Sequence, residues 1–339
     1  MVKIVDVAKQ AGVSTASVSR VISGLPGVSE ETRKRVIQTA REMGYEPSFA
    51  ARQLRRKRSD AIGYILPSSS PQFTDPFFVN FLTGLCDASA AIHLDLMVTS
   101  CPPDSDLERS QYRQWVQSRR IDGIVLNRIR SQDWRVDFLL EQKFPFVSLG
   151  RTEISNPYPS IYVDERQGFA RLVSHLVQNG YRQIAYIGAP ANLMIQRERF
   201  AGYCLGVEQT GISLHPDWIK EGNLTETSGY NAAVQLLSGN SAPTAIMACN
   251  DLMALGALQA AQEMGVRVGS ELAITGFDGI KDTEYTTPPI TTLYQPTYEI
   301  ARNLTTILGK IINGASPEGM SLTIEPELIL RASSEPRSG

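Results

Sequence analysis

The sequence predicts a small all-α head followed by an α/β body of two doubly wound parallel-sheet lobes, and three observations support this fold class. Residues 4–22 carry two apolar runs at helical spacing, interrupted by Gly-Val-Ser, which is typical of a helix-turn-helix. From residue 61 onward, strand-like apolar runs alternate with helical stretches, as in parallel sheets covered by helices. The alternation occurs in two successive sets, and a chain of 339 residues favours two or three domains.

The segment from Ile4 to Ile22 defines the head. Gly12 can take the positive φ that a tight turn needs, and Ser14 is a residue type that caps the second helix. Thr15, Ala16, Ser19 and Arg20 fall on the face opposite the apolar one and can approach a surface closely. Periodicity alone leaves two interpretations open, a recognition helix for the DNA major groove and an ordinary amphipathic helical hairpin.

The amino-acid sequence of this segment favours the DNA-binding interpretation. DVAKQAGVSTASVSRVISG resembles the helix-turn-helix of the LacI family of bacterial transcription regulators almost position for position. The resemblance implies that Thr15, Ala16 and Arg20 read base edges, with Arg20 suited to guanine and the Ala16 methyl to thymine. It also implies phosphate contacts from the serines of the turn and helix, Ser14, Ser17 and Ser19. Lys3 stands where threonine commonly caps the first helix, so we expect that helix to fray more easily.

A third helix completes the predicted head over residues 1–45. Ser29 caps it and is counted among the DNA contacts, and the helix runs to Met43 before Gly44 closes it. Its apolar residues are predicted to pack on the first two helices: Val36, Ile37, Ala40 and Met43. Three basic residues on this helix are available to phosphate or merely to water: Arg33, Lys34 and Arg35.

Residues 46–59 are predicted to form a hinge. A helix of about seven residues is too short to stand alone in water, so it should order only when it binds. In the LacI family two such helices pair in the minor groove, which implies DNA contacts for Ala51, Leu54 and Arg55, with Leu54 as the wedge that kinks the duplex. The alternative is a flexible basic linker.

Charge is distributed unevenly between head and body. Residues 1–60 hold 12 of the 33 Lys+Arg and 6 of the 35 Asp+Glu, which leaves 21 basic against 29 acidic residues for the remainder. A basic head on an acidic body is expected when only the head meets a polyanion.

Residues 60–339 are predicted to form the two-lobed effector-binding and dimerisation domain, which resembles the periplasmic-binding-protein fold. The first set of strands is AIGYILP, LDLMVTS, IDGIVLN and FPFVSLG, and the second is IAYIG, TAIMACN and ELAITGF. The strand and helix within residues 290–314 are expected to return to the first lobe. Residues 322–334 are expected to finish on the second.

A ligand cleft is predicted between the lobes, because open α/β sheets bind ligands beyond the carboxyl ends of their strands. That rule selects the stretches Ser68 to Phe78, Asn127 with Arg128, Gly150 with Arg151, Ala189 to Arg199, Asn250 with Asp251, and Asp278. Resemblance to family motifs in DPFF, RERFAGY, CNDLMALGAL and ITGFDG singles out Phe77, Phe78, Arg199, Asn250, Asp251 and Asp278, with Leu224 on a more apolar rim. Asp251 has an alternative role as a helix cap. Aromatic, guanidinium and carboxylate groups together suit a small sugar-like effector.

Competing functions fit the sequence less well. The three histidines, His93, His175 and His215, have no nucleophile or metal partner at suitable spacing, so we predict no enzyme activity, no cofactor and no metal. No apolar run approaches the ~20 residues of a membrane span and no signal peptide opens the chain, so we expect a cytoplasmic protein with no membrane partner.

The prediction is a homodimeric, allosteric repressor of carbohydrate-uptake or catabolism genes that binds a near-palindromic double-stranded operator and is released by its effector. The absence of leucine heptads after residue 327 favours a dimer over a tetramer. The alternatives are a corepressor-dependent regulator that responds to a non-sugar metabolite and, from a different class, a solute-binding carrier protein.

Overall fold

The computed structural model of the protein describes residues 2–22, 24–45, 58–67, 75–152, 158–239 and 241–337. Two compact units divide the chain, Met1–Asp60 and Ala61–Gly339. Ala51, Leu54 and Arg55 of the predicted hinge lie outside the described residues. Within the described ranges, no helix combines the length and the apolar character needed to cross a bilayer.

The first unit contains three helices, α1 (Ile4–Ala11), α2 (Thr15–Ile22) and α3 (Glu30–Glu42). Gly12 ends α1 with φ 66°, and the next amide, from Val13, donates to the Ala8 carbonyl at 3.0 Å. Ser14 then accepts from the backbone N–H of Ser17 at 3.1 Å, which caps α2. The predicted turn chemistry is therefore confirmed.

The three helices bury one small apolar core, formed by Val7, Ala8, Ala11, Val18, Val21, Val36 and Ala40. Lys3 contributes no side-chain cap to α1, but its backbone N–H donates to the Asp6 carboxylate at 2.8 Å. Ile37 was predicted to pack in this core and is instead 38% exposed. Val36 and Ala40 are four residues apart and share the inward face, which turns the intervening Ile37 away.

The first lobe of the second unit is a six-stranded parallel sheet in the order β11-β5-β4-β3-β1-β2. Its strands are β1 (Ala61–Pro67), β2 (Asp95–Cys101), β3 (Gly123–Leu126), β4 (Phe146–Leu149), β5 (Ser160–Val163) and β11 (Leu322–Ile324). Its helices are α4 (Pro76–Ala91), α5 (Asp106–Gln117), α6 (Trp134–Glu141) and α11 (Thr297–Ile312). Asp75, Ser105 and Asp133 cap α4, α5 and α6 with their side chains, which explains where these helices begin.

The second lobe repeats this architecture in the order β12-β10-β9-β8-β6-β7, with β12 antiparallel to β10. Its strands are β6 (Ile184–Gly188), β7 (Ile219–Glu221), β8 (Ala245–Ala248), β9 (Ala273–Asp278), β10 (Thr291–Tyr294) and β12 (Glu327–Ile329). Its helices are α7 (Glu165–Gln178), α8 (Met194–Thr210), α9 (Glu226–Leu237) and α10 (Asp251–Glu263). Both lobes are doubly wound, as predicted.

The chain crosses between the lobes three times, after β5, β10 and β11. The crossings after β5 and β11 are joined by a hydrogen bond from the Asp164 N–H to the Ile324 carbonyl at 2.8 Å. Two predictions about this region were wrong for one strand each, whereas the helix of residues 297–312 lies in the first lobe and residues 327–329 in the second, as predicted. The strand of residues 291–294 belongs to the second lobe, because it pairs with β9, and residues 322–324 pair with β5 in the first.

Candidate functional site

The head presents a compact polar face on α2. Thr15, Ala16 and Arg20 are exposed, whereas Val18 and Val21 on the same helix are buried in the core of the head. Ser17 and Ser19 are half-buried at the boundary. The helix therefore separates its residues into a core face and a free face, which is the geometry that a recognition helix needs.

Ser14 and Ser29 both cap helices, at α2 and α3. Ser29 accepts from the Thr32 N–H at 3.3 Å and donates its own proton to the Thr32 hydroxyl at 2.9 Å. Both serines are exposed. Contacts from either serine to phosphate stay a prediction.

Arg33 makes an intramolecular contact that the sequence did not indicate. Its Nη2 donates to the Leu25 carbonyl at 2.9 Å, and the side chain is half-buried beside Glu30. It therefore holds the loop between α2 and α3. Lys34 and Arg35 are exposed and remain available to a phosphate backbone.

A cavity of about 470 Å³ lies between the two lobes of the second unit. It opens beyond the carboxyl ends of β3, β4, β5, β6, β8 and β9, where the strand-end rule predicted it. Seven of the predicted residues line it: Phe77, Asn127, Arg151, Arg199, Leu224, Asn250 and Asp278.

Two predicted residues lie behind the cavity wall. Phe78 is 6% exposed, packs edge-on against Phe77 at 5.3 Å and supports the Arg128 guanidinium. Asp251 is fully buried and accepts from the Ile280 N–H at 2.8 Å and the Thr292 hydroxyl at 2.6 Å. The alternative prediction, that Asp251 caps the helix, is also wrong. Asn250 caps α10 and accepts from the Met253 N–H at 3.1 Å.

Arg199 is the most constrained side chain of the cavity. Its Nε and Nη2 donate to Glu165 at 3.1 and 2.7 Å, its Nη1 donates to the Cys249 carbonyl, and its guanidinium lies 3.8 Å from the centre of the Phe277 ring. Burial raises the pKa of Glu165 against the opposing effect of Arg199. This preorganised cation can donate to a ligand without moving.

Asp278 lies beside Arg199 and Glu165, and its carboxylate is a hydrogen-bond acceptor. Its carboxylate is 4.0 Å from Arg199 Nη2 and accepts from the Gln295 amide at 2.7 Å. Burial raises the pKa of Asp278 well above its usual range, although Arg199 acts in the opposite direction. Its φ of 115° is rare for a non-glycine residue, as is often found where a side chain is held for function.

A second polar group lines the first-lobe wall. Arg128 is 3.8 Å from Asp75, and in the described part of the chain its guanidinium makes no hydrogen bond. Burial lowers the pKa of Arg128 despite the nearby carboxylate. Asn127 donates to the Tyr64 hydroxyl at 2.6 Å, which leaves its buried Oδ1 unpartnered among the described residues. These side chains offer both donors and acceptors.

The third polar group was only partly predicted. Arg151 lies 4.5 Å from the centre of the Tyr162 ring, and the Tyr162 hydroxyl donates to Glu198 at 3.2 Å. Tyr162 lies in β5, a strand of four residues that sequence periodicity missed, and Glu165 follows that strand. Gln295 lies in a crossing between lobes. The alternating pattern of SIYV was the only local signal for this wall.

The cavity is lined by side chains that can bind a small molecule. Among the described residues no group of three or more His, Cys, Asp or Glu could hold a metal ion. Arginine and carboxylate pairs alternate with apolar side chains such as Phe77, Leu149 and Met194. Such a lining can hydrogen-bond hydroxyl groups while it packs on the apolar faces of a small molecule.

Comparisons with known proteins agree with this geometry. Residues 3–48 match the family described as bacterial regulatory proteins, lacI family, and residues 173–334 match the periplasmic binding protein-like domain. The HTH-type transcriptional repressor PurR of Pasteurella multocida (strain Pm70) is 30% identical over 343 residues, covering 99% of this chain and 100% of that protein.

Solved structures extend the similarity to the whole chain. The lac repressor dimer bound to operator and the anti-inducer ONPF is similar with a TM-score of 0.84 and 27% identity, covering 98% of this chain and 99% of that one. The complex of the transcriptional regulator CelR with cellobiose is similar with a TM-score of 0.75 and 27% identity, covering 98% and 100%. The predicted fold class is confirmed.

Proposed function

Because the chain belongs to the LacI family of bacterial transcription regulators, we propose that it is a homodimeric repressor released from its operator by a small sugar-like effector. Two identical heads related by a twofold axis read two half-sites, so the operator is near-palindromic. The genes that it controls serve carbohydrate uptake or catabolism. The observation that carries the proposal is the free face of α2, with Thr15, Ala16 and Arg20 exposed.

The charge of the head supports DNA as the partner. Its 12 basic residues against 6 acidic ones lie in the unit that carries α2, whereas the rest of the chain is acidic. Phosphate attraction of this kind is salt-dependent and independent of sequence, so base preference has to come from side chains such as Arg20. A transcription regulator of this kind works in the cytoplasm.

The lining of the cavity supports a polyhydroxylated effector. Arg199, Asp278 and Asn127 offer donors and acceptors from both lobes, and Phe77 offers an aromatic face for a sugar ring. A ligand that bonds to both lobes stabilises the closed cleft, since neither lobe alone supplies all of its partners. The complex of the related CelR contains cellobiose, which makes disaccharides the first class to test.

Strand β1 offers a direct route between the two functions. It begins one residue after Asp60, where the head unit ends, and its carboxyl end at Pro67 precedes the cavity-lining Asp75 and Phe77. A movement of the first lobe therefore moves the attachment of the hinge. Coupling of about 1–3 kcal/mol is typical of such linkage.

The proposal is tested by selecting duplexes from a random-sequence pool with the full-length protein. Binding of the selected duplex is then measured by fluorescence anisotropy with and without mono- and disaccharides, and a thermal-shift screen identifies ligands. A ligand at 100 times its Kd adds about 2.7 kcal/mol to native stability. The proposal is wrong if no duplex is preferred over random competitor, either without sugar or with any sugar tested.

A corepressor-dependent regulator that responds to a non-sugar metabolite is the second candidate. The apolar part of the wall favours it: Ile129, Leu149, Met194, Ile195 and Leu224. The two candidates differ in the sign of the effect, since a corepressor increases operator affinity and an inducer lowers it. A solute-binding carrier would use the cleft, but it has no use for the face of α2.

A further inference from the structure

Two short segments meet across the cleft and join the lobes through their backbones. The Met194 N–H donates to the Ile129 carbonyl at 2.8 Å, and the Ser131 N–H donates to the Asn192 carbonyl at 3.0 Å. Residues 130 and 193 between them form an antiparallel bridge. We call residues 129–131 and 192–194 the cross-lobe clasp. These bonds can exist only while the cleft is closed.

Buried charged side chains fix the first-lobe half of the clasp. Arg130 is 4% exposed, and its guanidinium lies 3.2 Å from Asp104 and 3.0 Å from Glu108. Arg135 donates to the carbonyls of residues 127 and 128, at 3.2 and 3.0 Å. With the Arg130 side chain and the two carbonyls just before the segment fixed in this way, the segment is rigid enough to offer a preformed backbone edge.

The second-lobe half is the start of α8, and this helix lacks a cap of its own. Its N-cap residue is Leu193, which provides no side-chain hydrogen bond to the first turn. The first N–H groups of a helix have no acceptor within the helix. In the described part of the chain, the Met194 N–H finds its acceptor in Ile129, on the opposite lobe. The first lobe therefore supplies a cap for a helix of the second.

Helix α8 also carries cavity side chains, Glu198 and Arg199. Ile129 and Met194 line the same cavity, so the clasp forms part of the wall against which a ligand closes. Opening the cleft would expose the Met194 N–H to water and leave the first turn of α8 without this acceptor. Cleft closure and the capping of α8 are thereby linked through one backbone hydrogen bond.

We infer that Ile129 and Met194 are positioning residues that link cleft closure to the capping of α8, and so stabilise the closed cleft. The consequence for DNA rests on the proposed function, in which the effector-bound, closed form releases the operator.

The test compares Met194→Pro with Met194→Ala in the full-length protein. Proline is favoured at the first position of a helix, and Leu193, with φ −85° and ψ 137°, already has the extended backbone that a following proline requires. Met194→Pro therefore removes the N–H and leaves α8 intact. Met194→Ala removes the same side chain from the cavity and keeps the N–H, which makes it the matched control.

Amide hydrogen exchange reports the clasp directly. In Met194→Pro we expect the Ser131 amide to exchange faster than in Met194→Ala by a factor of about 2 to 10. One hydrogen bond typically changes an equilibrium constant by such a factor. Asn192→Ala removes the 3.4 Å hydrogen bond to Asp104 and leaves the backbone bonds, so it should move exchange in the same direction by less. Equal protection of Ser131 in the two Met194 variants would overturn the inference.

Operator affinity without effector reports the link to function. Met194→Pro favours the open cleft, so it should bind a selected duplex more tightly than Met194→Ala by a similar factor of about 2 to 10. Equal or weaker binding overturns the link. A failure to select any duplex with the wild-type protein is instead a failure of the proposed function, and Ser131 exchange still decides whether the clasp exists.

Discussion

Arg199 and Glu165 form a buried pair in which two guanidinium nitrogens, Nε and Nη2, donate to the same carboxylate oxygen at 3.1 and 2.7 Å. Both side chains are at least nine-tenths buried. The pair comes from α8 and α7, two helices of the second lobe, so Arg199 is held at the cavity by its own lobe before any ligand arrives.

Arg199→Ala should destabilise the protein and abolish effector binding. The substitution leaves the Glu165 carboxylate buried without its cation, which typically costs about 3–5 kcal/mol in the free energy of unfolding. Arg166→Ala is the control, because Arg166 pairs with Glu198 while half exposed and contributes about 0–1 kcal/mol. Urea denaturation measures both values. Similar losses for the two variants would contradict the assignment of the buried pair.

Asp251 predicts a pH dependence of stability. Burial raises its pKa from 3.8 to about 6, against hydrogen bonds from Thr292 and Ile280. The folded protein therefore holds this proton more tightly, and the stabilisation is present below pH 3.8 and lost as pH rises through about 6. As pH falls from 7 to 4, the free energy of unfolding of the wild type should therefore increase relative to that of Asp251→Asn, by up to about 3 kcal/mol. A pH-independent difference in urea denaturation would count against this.

Arg20→Ala should relax base preference at one position of the half-site, at a cost of about 1–3 kcal/mol for the preferred duplex. Lys34→Ala should weaken all duplexes alike and reduce the slope of log affinity against log salt by about 1. Anisotropy titrations at several salt concentrations separate the two effects.

Arg33→Ala should instead lower the thermal stability of the head, since the Arg33 guanidinium donates a hydrogen bond to the Leu25 carbonyl.

Leu54→Ala tests the hinge, of which residues 46–57 lie outside the described part of the chain. If Leu54 wedges into the minor groove at the operator centre, the variant should lose operator affinity, because the kink is no longer supported. Its affinity for random duplexes and its thermal shift with the effector should equal those of the wild type. Unchanged operator affinity would remove the hinge assignment.

Gly256→Ala should destabilise the second lobe. A Cβ at this position would lie against the Glu226 carbonyl and 2.6 Å from the Tyr230 amide nitrogen, both backbone atoms of α9 that cannot move aside. Overpacking of this kind costs about 1–3 kcal/mol. Gly309→Ala is the matched control, because its Cβ would meet only the tip of the Ile92 side chain. Equal thermal stabilities of the two variants would contradict the close approach of α9 and α10.

The sequence was most informative where local chemistry is complete within a few residues. Gly12 and Ser14 define a turn whose φ and cap can be predicted without tertiary contacts. Buried strands such as β1 and β8 are continuous apolar runs, which only a sheet covered on both faces requires. The ends of these strands then located the cavity.

Other features depended on distant pairing. Nothing local assigns residues 291–294 to the second lobe, because that follows from their register with residues 275–278. Phe77 and Phe78 are adjacent on one helix and differ by about a third of a turn, so packing alone decides which one reaches the cavity. Arg33 is a residue type that often contacts phosphate, and its hydrogen bond to the Leu25 carbonyl depends on the fold of the neighbouring loop.

The three crossings have a consequence for synthesis of the chain on the ribosome. Neither lobe is a continuous stretch, and β11 and β12, the strands that complete the two sheets, lie within residues 322–329. A polypeptide that stops before residue 322 would leave β5 and β10 as open edges, which invite aggregation and proteolysis. Nonsense mutations even late in the reading frame should therefore yield no stable fragment, and neither lobe should be expressible as a simple truncation.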